Sequence, residues 1–144
     1  MLAYVFWHQP AVEEGYEEAL KEFHASLPHT SASFRLQSLP FAGGVPGYED
    51  WYLVDDWQAL GELNVMAVDA QHKPPHDQAA QRTKAGWGGV YALVEGDAAE
   101  PPLAVTWSHR RPEAEVLWQR QMVLGPAPEY CVAHGDPAGR TRVA

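Results

Sequence analysis

From Leu2 to Gln9 the chain is apolar at both parities: Leu2, Tyr4 and Phe6 alternate with Ala3, Val5 and Trp7. A strand apolar on both faces belongs in the middle of a sheet, covered from both sides. Pro10 ends it, because proline cannot donate to a ladder. The pattern then changes to a helical period. Val12, Tyr16, Ala19, Leu20, Phe23 and Leu27 fall on one stripe and predict a helix over Val12–Leu27. Glu13, Glu14, Glu17 and Glu18 load its first turns, where the helix dipole favours anions, and Pro28 closes it. Ser31 to Leu39 alternates again, with Phe34 and Leu36 on one side and Ser33, Arg35 and Gln37 on the other. The turn-rich residues 40–47 lead back into a strand over Tyr48–Val54. Asp55 is the predicted cap of the next helix, with Gln58 as its capping-box partner. Trp57, Leu60, Leu63, Asn64, Ala67 and Val68 mark the face of that helix. Pro74 and Pro75 interrupt it and start a short helix through Lys84, and Val90–Val94 is a fourth strand.

Residues 2–95 therefore read β-α-β-β-α-β, a ferredoxin-like unit, and the predicted class is α+β in one domain over residues 1–144. Beyond the polar linker at 96–102, residues 103–134 loosely repeat the beginning. Ala3–Pro10 finds an echo in Ala104–Pro112, each with Trp and His before a proline, and Arg/Gln-bearing and aromatic strands follow both. A truncated second repeat and a chance likeness both fit. The repeat predicts a strand-rich extension: Leu103–His109, Val116–Leu124 and Pro128–His134. The competing reading is a helix over Pro112–Met122 with Pro112 at N1. Strand is preferred because Trp118, Arg120, Met122 and Leu124 alternate with Gln119, Gln121 and Val123. Residues 135–144 read as a frayed tail.

The element order resembles the dimeric α/β-barrel superfamily of ferredoxin-like domains. So do the aromatic first strand and the Arg35/Gln37 strand that turns through glycines into Tyr48–Val54. The resemblance spans residues 2–95 and is one of pattern; the C-terminal extension departs from it. That superfamily includes cofactor-free monooxygenases, muconolactone-isomerase-like enzymes, haem-degrading enzymes and stress-response proteins. The resemblance implies oxygenation or isomerisation of a small apolar or aromatic compound in an inter-sheet cavity, with no bound cofactor. The alternative is a non-catalytic module that binds a ligand or only builds an oligomer.

Composition narrows the partners. A formal charge of -9 argues against nucleic acid and anionic membrane surfaces. One cysteine allows no internal disulfide. No apolar run approaches the roughly 20 residues of a membrane helix. The apolar start lacks a basic flank and meets Pro10 and a glutamate-rich stretch, unlike a signal peptide. The expected location is cytoplasmic. A sheet with helices on one face would expose Trp51, Leu53 and half of the first strand. Large apolar patches rarely stay open, so a homodimer or larger assembly joined through its sheets is expected.

Several residues carry possible chemistry. His8 and His109 each end a strand and are candidate general bases, since imidazole titrates near neutrality; the plainer role is a bond to a turn carbonyl. Helices over Phe34 and Leu36 would turn Ser33, Arg35 and Gln37 into the space between sheets. Arg35, Gln37 and Trp51 are therefore the candidate ligand-binding residues. A buried Arg35 needs an anion, either a ligand carboxylate or Glu49 on the paired strand. His72 and His76 have two prolines between them, so a helical metal pair is not expected and no metal site is assigned. Gly86-Trp87-Gly88-Gly89 lacks the spacing and following helix of a phosphate loop. Cys131 reads as a buried, inert thiol.

Overall fold

The computed structural model describes residues 1–69, 72–133 and 139–144. In chain order its elements are β1 (Leu2–Pro10), α1 (Tyr16–Ser26), β2 (Ser31–Leu36), β3 (Gly47–Val54), α2 (Trp57–Met66), α3 (Lys73–Gln81), β4 (Thr83–Glu95), β5 (Thr106–Ser108), β6 (Leu117–Leu124), β7 (Tyr130–Val132) and β8 (Arg140–Arg142). Among the described residues the eight strands form one sheet in the order β5-β7-β6-β4-β1-β3-β2-β8. Every pairing is antiparallel.

This corrects the expected architecture. The chain does not form a ferredoxin-like unit of dimeric α/β-barrel type with an appended extension. It forms a single curled sheet, a half-barrel, with three short helices. The cause lies in the last strands. β6 continues the sheet from β4, and β8 continues it from β2, so residues 2–95 do not close a sheet of their own. Curling then brings the two ends of the sheet together. Trp107 of β5 and Arg140 of β8 stand at opposite ends of the strand order, yet both reach Glu49 of β3.

β1 lies in the middle, flanked by β3 and β4, as a strand apolar at both parities requires. Its even residues meet the helices. Leu2 packs with Phe23 of α1, with Leu27 just past its end and with Leu63 of α2. Its odd residues enter the other core, where Ala3, Val5 and Trp7 join Phe34, Leu36, Trp51, Tyr91 and Trp118. Four of the large rings in this second core, Trp7, Trp51, Tyr91 and Trp118, are fully buried. Trp7 meets Trp107 at 5.0 Å between ring centroids, Tyr91 meets Trp107 at 5.3 Å, and Trp51 meets Trp118 at 5.8 Å. These are the spacings at which tilted aromatic pairs attract.

Two expectations change with this core. Phe34 and Leu36 face away from the helices, and Ser33 and Arg35 face toward them, opposite to the predicted assignment. Alternation tells which residues share a face but not which face the helices cover. The apolar face assigned to a partner subunit is also filled by the chain's own Trp107, Trp118 and Phe41, so it gives no reason to expect a sheet-to-sheet dimer.

Helix boundaries shift for local reasons. α1 begins at Tyr16 behind Gly15, whose φ of 71° suits a residue without a side chain, and Val12 is exposed before it. Asp56, not Asp55, caps α2; its carboxylate accepts from Ala59 N at 2.9 Å. Residues 106–108, 117–124 and 130–132 are strands, and no helix crosses 113–122. His134, the end of the last predicted strand there, lies outside the described residues, as do 135–138 of the predicted tail. Residues 140–142 do not fray but pair with β2, and Ser33 bonds Val143 and Ala144 beyond them.

Glu49 anchors this closure. It is fully buried and accepts from Trp51 Nε1 at 2.6 Å, Trp7 Nε1 at 2.8 Å, Trp107 Nε1 at 3.2 Å and the Arg140 guanidinium. Arg140 also lies 3.6 Å over the Phe34 ring and donates to Pro102 O at 3.1 Å. Removing the carboxylate charge would leave a buried guanidinium unpaired. Glu49→Gln is expected to cost about 3–5 kcal/mol of folding stability by urea denaturation. A loss below about 1 kcal/mol, the range of an exposed pair, would show that Glu49 does not hold the sheet closed.

Candidate active site

The helix-side face of the sheet holds a second buried carboxylate, one residue further along β3. Asp50 is 3 % exposed and shares its face with His8, Tyr48 and Tyr52. Tyr52 Oη donates to Asp50 Oδ2 at 3.1 Å. His8 Nε2 approaches Oδ2 to 2.9 Å, and His24 Nε2 of α1 approaches Oδ1 to 3.6 Å. The His8 contact is close but out of line for a full hydrogen bond, and the His24 contact is too long for one. Charge attraction therefore carries them, and it is strongest when the rings hold a second proton. Burial opposes the charge on Asp50, but the facing His8 and His24 outweigh it and hold its pKa well below the usual carboxylate range.

A relay runs outward from His8. His8 Nδ1 lies 2.5 Å from Tyr16 Oη, which lies 2.9 Å from Thr83 Oγ1, which donates to Ala79 O at 3.0 Å. Thr83 has one proton and gives it to Ala79 O. Tyr16 has one proton for two neighbours. All three contacts are satisfied together only when Tyr16 donates to Thr83 and His8 donates from Nδ1. The Nε2 contact with Asp50 is attractive only when Nε2 is protonated as well. Such a network makes Nδ1 of His8 the donor to Tyr16 and leaves Nε2, facing the Asp50 carboxylate, as the second proton position. On the other side, Ser31 Oγ and His24 Nδ1 are 2.8 Å apart.

This network lines one end of a cavity of about 620 Å³ between the helices and the sheet. Tyr4, Phe6 and Tyr52 line it from the sheet, Leu20 and Phe23 from α1, Trp57 from α2, and His76 from α3. Glycines of β4 make room for the rings of β1. A side chain at Gly86 would collide with Phe6, and one at Gly88 would come within 3.1 Å of the Tyr4 ring. Burial raises the pKa values of the phenols here. Tyr4 is pushed up to about 12 by burial and then by the charge of Asp50. Tyr16 and Tyr52 are raised further, again by burial first. All three are neutral donors at physiological pH.

A smaller hollow of about 340 Å³ lies beside Glu49, Trp107 and Arg140 on the other face. Its carboxylate is already held by three indoles and a guanidinium, none of which exchanges protons near neutral pH. The helix-side cavity is the better site for chemistry because its polar wall contains groups that can move protons.

The predicted site residues scatter. His8 lies in the relay at the cavity wall. His109 is exposed after β5 and does not line that cavity. Arg35 is on the helix side but points outward; its side chain is 57 % exposed and pairs with Glu17 of α1 at 3.0 Å. It neither enters the cavity nor meets Glu49, whose cation is Arg140. Gln37 is exposed beyond β2, with its backbone N bonded to Gly139 O. Trp51 is sealed in the opposite core on Glu49. His72 and His76 bond Asp69 and Asp77 respectively. Among the described residues no cluster of three or more His, Cys, Asp or Glu is placed to hold a metal ion. Burial pushes the Cys131 thiol well up, against reactivity.

Sequence reasoning missed Asp50, Tyr16, His24 and Tyr4. One signal was present: Glu49 and Asp50 interrupt a strand that is otherwise Gly, Tyr, Trp, Leu and Val, and acids buried in such a run must have donors. No protein-family model matches the chain, and neither a curated protein nor a solved structure matches it. The resemblance to the dimeric α/β-barrel superfamily finds no support there.

Asp50 also sets an acid limb of stability. Its folded pKa is lowered, so its contribution is present above the unfolded value of about 3.9 and is lost as pH falls from there toward its folded value. The folding stability of the wild type is expected to fall between pH 4 and 2 more steeply than that of Asp50→Asn. Parallel curves for the two proteins would show that Asp50 is not held ionised by its neighbours.

Proposed function

We propose that the protein is a small-molecule enzyme performing acid–base chemistry of the isomerase type on a largely apolar compound held between helices and sheet. One observation carries this reading: the Asp50–His8–Tyr16 relay ends on the wall of a cavity of a size that suits a small ligand. The relay acts most readily as an acid. When a ligand atom replaces Thr83 as the acceptor, Tyr16 gives its proton to the ligand, and His8 Nδ1 resupplies Tyr16. Tyr16 ends neutral, as its raised pKa favours. Asp50 keeps the imidazolium paired until the transfer. A positioned acid of this kind contributes typically about 10²–10⁴-fold. Isomerisation requires the proton to be recovered from another position of the same ligand, through the same relay run backwards.

A second reading has its own support. His8 and Tyr16 are 2 % and 0 % exposed and satisfy one another, as they would in a binding protein that performs no reaction.

Deuterium incorporation into a panel of small cyclic ketones and enones, followed by proton NMR, separates the two. The enzyme reading expects exchange faster than in buffer for at least one compound, lost about 100-fold in His8→Gln and Asp50→Asn. Ligand-induced shifts with no exchange above buffer for any compound would favour the binding protein.

A further inference from the structure

We infer that the compound held in this cavity is an uncharged ring system bearing a carbonyl group, and that Tyr4 recognises it by donating a hydrogen bond to the carbonyl oxygen. The inference rests on the reading of the helix-side cavity as a ligand site. Tyr4 stands on the cavity floor, partly buried, with no hydrogen-bond partner for its phenol among the described residues. The contrast with its neighbours is plain. Tyr16 bonds His8 and Thr83, Tyr48 bonds Glu17, Tyr52 bonds Asp50, and Tyr91 bonds Pro128 O. A phenol drawn into an apolar wall ordinarily finds a partner. Gly88 opposite Phe6 leaves the Tyr4 ring its place on the floor, so the geometry is maintained by a residue with no side chain to offer.

The chemistry of the wall selects what Tyr4 meets. Burial and the nearby Asp50 keep the phenol protonated to high pH, so it offers a proton and favours an acceptor. No lysine or arginine lines the cavity, while Asp50 does. A ligand carboxylate would meet no lysine or arginine there, and the His8 and His24 rings already face Asp50. A ligand ammonium would find Asp50 already engaged by Tyr52, His8 and His24. An uncharged acceptor suits both limits. The ring system follows from the walls: Tyr4 lies between Phe6 at 6.2 Å and Tyr52 at 5.9 Å, with planes within 26° and 23°. Phe23 and Val90 complete an apolar enclosure that accepts a flat hydrocarbon face.

Three probes of one shape test this: 2-acetylnaphthalene, 2-ethylnaphthalene and 2-naphthoate, titrated at pH 7.5 into wild type and Tyr4→Phe and followed by tryptophan fluorescence. In wild type the ketone is expected to bind at least about tenfold tighter than the carboxylate, because the latter buries an unpaired charge. Tyr4→Phe is expected to weaken the ketone about fivefold, the size of one net hydrogen bond. It should leave 2-ethylnaphthalene unchanged, which also reports that the cavity is intact. An unchanged ratio of ketone to hydrocarbon affinity in Tyr4→Phe would overturn the role of Tyr4. Naphthoate binding as tightly as the ketone would overturn the selection for uncharged ligands. Failure of all three probes to bind wild type would remove the ligand site itself, and this inference with it.

Discussion

Two acidic residues stand side by side on a central strand, and both are buried. Glu49 and Asp50 point to opposite faces of β3 because successive strand residues must. Each face of the sheet must then supply donors to a carboxylate that has left water, or the fold is not stable. Much of the architecture serves that requirement. On one face the curl of the sheet brings β5 and β8 from its two ends to Glu49. On the other, α1 brings Tyr16 and His24 down onto His8 and Asp50.

The two carboxylates are satisfied by different chemistry, and this difference separates structure from function. Glu49 is held by indole N–H groups and a guanidinium, which keep their protons across the physiological range. It is a permanent clamp. Asp50 is held by two imidazoles and a phenol, and one of those imidazoles leads through Tyr16 to a cavity wall. On the proposed function, protons are passed there while the fold stays closed. The glycines of β4 belong to the same design, since they let the rings of β1 form a flat floor beneath the helices.

Local pattern made the elements legible. The two-sided apolarity of residues 2–7 placed β1 in the middle of a sheet, and alternation across 118–124 marked β6 as strand, not helix. Pairing between distant segments was not legible. Nothing in Arg140 or its neighbours announces that residues 140–142 close onto β2, and the sequence pattern reads them as a frayed tail. The site failed for the same reason. Parity correctly grouped Arg35 with Ser33, but the choice of face was reversed, because Phe34 and Leu36 are as suited to an aromatic core as to a helix. That reversal sent Arg35 into a supposed pocket and left Asp50 unread. His8 was legible as an imidazole on a strand, while its partners Tyr16 and Asp50 are brought to it only by tertiary packing.

The central claim is that Asp50 holds a protonated His8 in a closed network from which a proton can be passed. Nitrogen-15 NMR of the imidazole rings at pH 6, in wild type and Asp50→Asn, tests it most directly. The expected result is two slowly exchanging ring N–H signals for His8 in the wild type, with the Nε2 signal lost or broadened by rapid exchange in Asp50→Asn. Ring protons of His8 that exchange with water at the rate of an exposed imidazole, unchanged by the substitution, would contradict the account.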